Sequence, residues 1–295
     1  VTGVSISVEG SPLQLPGVPN VQTEETWEQY DPNGITDSAV ALIVRRGAIR
    51  EIVGRRSIAG SGPLGRGRLQ LSDPALSLDS SLVVALASDR SRVVAQDLSV
   101  ATTVDPVLSG TNFAAPSIDG SGAVWLADRD ATGTHISWKP PDGAIESVAA
   151  PALRGLHVVA MRAALDGTRV ALVVKGRDGE GHLLLARVVQ RSAGLRLQAL
   201  RPLEERLTNV RDVTWSSASS LVALARDRGS VLQPFQIGID GSVSPVAGTT
   251  LQGIDGLSTA PGADLLASTS DGGIYKNKGV RWRALVPGRD PAYPG

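Results

Sequence analysis

Six short apolar runs recur along the chain: 40–44 (VALIV), 82–87 (LVVALA), 124–127 (VWLA), 170–174 (VALVV), 221–225 (LVALA) and 265–267 (LLA). A repeat of this kind constrains the fold more than any composition figure, because each unit must bury its faces against its neighbours. The runs are rich in Val and Leu and too short for helices. That length suits strands covered on both faces.

Each of the last five runs follows a related turn signal: Ser77-Leu78-Asp79-Ser80, Ser117-Ile118-Asp119-Gly120, Ala164-Leu165-Asp166-Gly167, Trp215-Ser216-Ser217-Ala218 and Thr259-Ala260-Pro261-Gly262. Asp-Gly and Pro-Gly supply tight reversals between antiparallel strands. With Asp79, Asp119, Asp166, Ser217 and Gly262 as markers, the intervals are 40, 47, 51 and 45 residues. A third strand follows most runs, at 92–96, 135–138, 183–188, 234–237 and 273–276, and a more polar fourth segment leads on to the next marker. Four strands in about 40–50 residues describe a propeller blade. Five marked units and one at the front predict an all-β, six-bladed β-propeller with four-stranded antiparallel blades over 34–295. A sandwich also alternates strands and turns, but it does not repeat one strand–turn–strand unit five times.

Residues 1–33 read differently. Val4–Gly10 alternates as a strand and turns at Glu9-Gly10, 13–19 (LQLPGVP) is extended, and 23–30 (TEETWEQY) is acidic enough in its first turn for a short helix. We expect the tail of a preceding domain and a linker there. Helix should be under about a tenth of the chain, well below the usual third. The front unit has no marker strand of its own. The ring is therefore expected to close either through 34–38 or through an N-terminal strand added to the last blade, since an open edge invites aggregation.

Composition removes several chemistries. The chain has 295 residues and no cysteine, so it has no disulfide, thiolate metal site or thiol nucleophile. Its formal net charge is zero, which gives no electrostatic reason to expect nucleic acid as a partner. Of 29 basic residues only Lys139, Lys175, Lys276 and Lys278 are lysines, a bias that fits a GC-rich genome.

The motifs are weak. Gly60-Ser61-Gly62-Pro63-Leu64-Gly65 matches G-x-G-x-x-G, but Pro63 falls inside it and no helical period follows, so we read a loop. Asp128-Arg129-Asp130-Ala131-Thr132-Gly133 resembles half a calcium loop without its later ligands. His135, His157 and His182 have no metal-ligand spacing, and no serine sits in a nucleophile elbow. No cofactor or metal is expected. Trp125 and Trp215 are expected to pack blades, while Trp138 and Trp282 are candidates for surface anchors.

Loops that enter the innermost strands of a propeller gather at one mouth of its channel. On this strand reading they carry Asp73, Asn112, His157, Asn209 with Arg211, and Asp255. These are the candidate binding residues.

The segments VSISV at 4–8, Leu15-Pro16-Gly17-Val18-Pro19, Trp27 and Tyr30-Asp31-Pro32 resemble the junction between the GerMN domain and the propeller in the actinobacterial LpqB lipoprotein family. Leu165-Asp166-Gly167-Thr168-Arg169, Asp212-Val213-Thr214-Trp215 and the closing Pro-Ala-Tyr-Pro-Gly at 291–295 extend the likeness over the chain. The resemblance implies an extracytoplasmic lipoprotein, anchored through an acylated cysteine outside this sequence. It also implies a non-catalytic, protein-binding propeller that modulates the MtrA–MtrB two-component system through the extracellular region of the sensor kinase MtrB. The family offers no catalytic residues. Two other readings stand beside it: a small glycan or peptide ligand in the channel mouth, and a hydrolase site hidden in the loops.

Overall fold

A computed structural model describes residues 71–286 apart from 80, 88, 98–104, 177–178, 193, 204–205, 229–230, 249–250, 260–263 and 278, together with the strand pairs at 7–8/11–12 and 40–45/48–53. Two hairpins come first. β1 (Ser7–Val8) pairs with β2 (Ser11–Pro12) across the expected turn, and β3 (Val40–Arg45) pairs with β4 (Ala48–Val53).

Five four-stranded antiparallel blades follow. Blade one is β5 (Leu71–Leu76), β6 (Leu82–Ala87), β7 (Arg92–Asp97) and β8 (Asp105–Ser109). Blade two is β9 (Ser117–Ile118), β10 (Val124–Asp130), β11 (Gly133–Lys139) and β12 (Glu146–Val148). Blade three is β13 (His157–Ala163), β14 (Arg169–Lys175), β15 (Gly181–Arg191) and β16 (Gly194–Pro202). Blade four is β17 (Leu207–Ser217), β18 (Ser220–Asp227), β19 (Gln233–Gly238) and β20 (Val243–Pro245). Blade five is β21 (Ile254–Ser258), β22 (Leu266–Thr269), β23 (Ile274–Asn277) and β24 (Trp282–Val286). Each is a simple meander. The innermost strands β5, β9, β13, β17 and β21 touch in succession.

Among the described residues the propeller therefore has five four-stranded blades, not the six expected. The front apolar run forms β3, but the unit is a two-stranded hairpin that lies against β5. The physical reason is visible in retrospect. A marker turn records an inner strand turning into the buried run, and 40–44 is the one run with no marker before it. Blade five draws its four strands from 254–286, and among the described residues no N-terminal strand pairs with it. The alternative segment 34–38, the glycine motif at 60–65, the helix expected at 23–30 and the C-terminal residues 287–295 lie outside the described residues. Among the described residues, the helical content is the single 3-10 turn Pro151–Leu153.

The continuous apolar runs are explained by burial on both faces. On β14, Val170, Leu172 and Val174 pack with Trp125, Ala127 and Ile136 of blade two. The alternate residues Ala171 and Val173 pack with Val213, Leu221 and Phe235 of blade four. Similar clusters join blades one and two around Leu86, Phe113 and Leu126, and blades four and five around Leu224 and Leu257. At roughly 25 cal/mol per Å² of apolar surface removed from water, these interfaces are the main source of stability.

Candidate binding surface at the channel mouth

The two ends of the ring are built differently. At one end, each inner strand turns into the second strand of its blade. Asp119 is the most developed of these turns. Its carboxylate accepts from the Ser121 N–H (2.9 Å) and hydroxyl (2.6 Å), the Ala123 N–H (3.2 Å) and the indole Nε1 of Trp125 (2.8 Å). Gly120 donates its N–H to the Leu165 carbonyl of the next blade at 2.9 Å, and a Cβ on Gly120 would collide with that oxygen. Asp79 accepts from the Ser77 and Ser81 hydroxyls and the Ser81 N–H, which hold its pKa at about 2.

At the other end the inner strands begin, and four of the five begin with a break in register: between Ser72 and Ala75, Val158 and Ala160, Thr208 and Asp212, and Ile254 and Gly256. Such bulges bend a strand, end its pairing and re-aim side chains. The candidate residues fall on them or beside them. Asp73 and Asn209 occupy two of the bulges with φ of 47° and 49°, and Asn112 has φ 51° in the loop before β9. Arg211 is exposed in the same bulge as Asn209, Asp255 is exposed in the bulge of β21, and half-buried His157 opens β13. By strand order all six lie at the same end of the blades. Among the described residues no hydrogen bond joins any two of them. Asp73 pairs with Arg90 at 3.5 Å, and Asp255 accepts from the Ser268 hydroxyl.

Sequence reasoning missed the residues between them. Arg162 on β13 and Asp212 on β17 form an ion pair at 3.2 Å, largely buried, on adjacent inner strands. Asp212 also accepts from its neighbour Val213 N–H (2.9 Å) and from the Leu257 N–H of blade five (2.9 Å), so one carboxylate ties three blades together. Burial pushes its pKa up; Arg162 and the two N–H donors oppose that, and the Asp73 charge adds to it. Trp215 is 5% exposed and donates its Nε1 to the Arg162 carbonyl at 2.9 Å, which makes it a blade-packing residue as expected. Trp125 is likewise buried, while Trp138 and Trp282 are half-buried. A further signal was available and went unused: the second strands of blades two, three and four run out at the mouth into Arg129, Lys175 and Arg226.

The calcium-like segment is a capped turn. Asp130 accepts from the Thr132 N–H (2.7 Å) and hydroxyl (2.7 Å) and lies 3.1 Å from His135 Nε2. Thr132 and His135 hold its pKa well below the usual carboxylate range. No group of three or more potential metal ligands occurs among the described residues.

Meander blades around a channel with a polar, irregular mouth define a β-propeller, a scaffold whose loops carry its binding surface. The chain belongs to the LpqB lipoprotein family: the family model for the lipoprotein LpqB β-propeller domain matches residues 53–294. Lipoprotein LpqB of Thermobifida fusca is 28% identical over 99% of this chain and 53% of that protein. Lipoprotein LpqB of Streptomyces coelicolor is 30% identical over 82% of this chain and 42% of that protein. The chain thus spans about half the length of the curated relatives it matches. Among solved structures, TolB from Acinetobacter baumannii superposes with a TM-score of 0.62 at 16% identity, covering 92% of this chain and 73% of that one. A gluconolactonase from Xanthomonas campestris gives a TM-score of 0.53 at 15% identity, covering 74% of this chain and 76% of that one. At these identities the likeness is one of fold alone.

Proposed function

We propose that this propeller is a non-catalytic docking module of an extracytoplasmic lipoprotein and that its channel mouth engages a protein partner. The observation that carries the reading is where backbone strain sits. Non-glycine residues in the left-handed region cost about 1–3 kcal/mol and cluster where function demands them. Five of the six such residues described, Asp73, Arg90, Asn112, Asn209 and Arg228, lie at the mouth. Membership of the LpqB family supports placement at the outer face of the cell membrane, held by a lipid anchor on a segment outside this sequence. Among the described residues no helix is long and apolar enough to cross a membrane. The partner this reading favours is the extracellular region of the sensor kinase MtrB, with the lipoprotein as an accessory of the MtrA–MtrB system.

The test is a binding titration of the purified chain against the purified extracellular region of that kinase. Saturable binding that weakens when Asn112 or Arg211 is replaced supports the reading. Absence of binding, or binding unaffected by any replacement at the mouth, overturns it.

A further inference from the structure

One sector of the mouth gathers cations from three blades. Arg90 sits in the β6–β7 turn with φ 57°, and its carbonyl accepts from the Phe113 N–H at 3.1 Å. The Arg129 N–H donates to the Thr111 carbonyl at 3.1 Å, and the Thr111 hydroxyl donates to the Arg129 carbonyl at 2.9 Å. Asn112, between Thr111 and Phe113, is therefore pinned between Arg90 of blade one and Arg129 of blade two. Arg129 follows Trp125 and Ala127 on the face of β10 that packs against blade three. There the register of β13 and β14 sets His157 directly opposite Lys175. Burial, and then the charges of Arg129, Lys175 and Arg90, hold the His157 pKa below the usual imidazole value, so each of the three cations lies within electrostatic reach of His157.

Like charges brought together repel. Among the described residues neither Arg129 nor Lys175 has a carboxylate within ion-pair distance. Arg90 meets Asp73 at 3.5 Å, yet its Nε is a buried donor with no acceptor. Of the other carboxylates nearby, Asp89 and Asp130 accept hydrogen bonds within their own turns, an Asp128 oxygen lies near Gly110, and Glu180 lies on the adjoining turn.

We infer that Arg90, Asn112, Arg129, His157 and Lys175 form a binding site for the carboxylates of an acidic segment in a protein partner. Guanidinium forks match carboxylates bidentately, and the Asn112 amide adds neutral hydrogen bonds suited to a peptide. A polyanion or anionic bilayer would draw on a wide positive field, which a chain of zero formal charge does not supply. The inference rests on the docking reading only for the owner of the acidic segment.

The probe is a labelled, end-blocked peptide rich in Glu and Asp, followed by fluorescence anisotropy, with inorganic phosphate and phosphatidylglycerol vesicles as separate arms. The peptide binds the wild-type chain with affinity that falls as salt rises. The pair Arg129→Glu and Lys175→Glu weakens it at least tenfold with an unchanged melting temperature. Arg129→Gln with Lys175→Gln serves if the reversed charges unfold the chain. Bound peptide also raises the His157 pKa, read by NMR, because an anion favours the imidazolium. No peptide binding, equal binding by the variants, or preference for phosphate or vesicles overturns the inference. Equal capture of the kinase region by wild type and double variant would leave docking standing and remove this site. Peptide binding without kinase binding would do the reverse.

Discussion

The two ends of this propeller are made from the same strands but differ in where non-glycine residues take a positive φ. At the closed end every positive φ described falls on glycine, at Gly122, Gly167, Gly194, Gly241 and Gly279. Its aspartates cap their own turns, as Asp89, Asp130 and Asp271 do at the mouth. At the mouth, strain is carried by Asp73, Arg90, Asn112, Asn209 and Arg228, pairing is broken by bulges, and cations face one another. The closed end is arranged for stability, and the mouth is the surface on which the proposed docking function depends. Substitutions should therefore separate the two: costly to folding at one end, costly to binding at the other.

The largest effect is expected from Asp119→Ala. It removes the acceptor of a fully buried indole N–H and of three further donors. Hydrogen bonds to charged groups contribute about 1.5–3 kcal/mol each, so a loss of about 3 kcal/mol in urea unfolding is expected. A loss below about 1 kcal/mol would deny the closed end its structural role. Gly120→Ala comes next, at about 2 kcal/mol, because the new Cβ meets the Leu165 backbone, which cannot move without shifting blade three. At the mouth, Asn112→Gly relieves a left-handed residue. Stability should be unchanged or higher by up to about 1 kcal/mol, while the proposed docking function expects weaker binding of the kinase region. If that substitution destabilises the fold as Asp119→Ala does, the contrast between the ends fails.

The smallest effect is one of pH. Ser77 and Ser81 depress the Asp79 pKa to about 2, so the folded state holds its proton less tightly than the unfolded chain. That contribution is complete above about pH 4 and is lost as pH falls toward 2. Asp212, whose pKa is raised by burial, has the opposite sign: stability falls as pH rises from its ordinary value through the raised one. Denaturation between pH 2 and 6 should show Asp79→Asn less stable than wild type near neutrality and equal to it at pH 2. A difference that persisted at pH 2 would assign Asp79 a packing role instead.

The sequence made the blades legible where burial is two-sided. The run at 170–174 is continuous because Leu172 faces blade two and Val173 faces blade four. Strand ends were less legible. The run at 124–127 continues as β10 to Asp130, since the hairpin to Gly133 pairs polar residues that no hydrophobic pattern marks. β9 is only two residues long and leaves almost no pattern at all. The candidate residues were found because loop position follows from strand order. Their conformations were hidden, since a bulge inserts residues without altering composition. The Arg162–Asp212 pair was beyond reach, because only the ring brings together residues 50 apart in sequence. The count of blades failed at 40–44, where apolar content was taken as sufficient evidence for a unit whose marker turn was missing.

The meander order of the blades also bears on how the chain folds. Every strand pair among the described residues joins neighbours in sequence, so each blade is complete within its own short stretch of chain. Folding can therefore advance blade by blade from one end as a polypeptide emerges. With no cysteine in the chain, none of its blades waits on an oxidant or an isomerase to fix a crosslink. A propeller assembled in this way gains each new blade against the face of the one already formed.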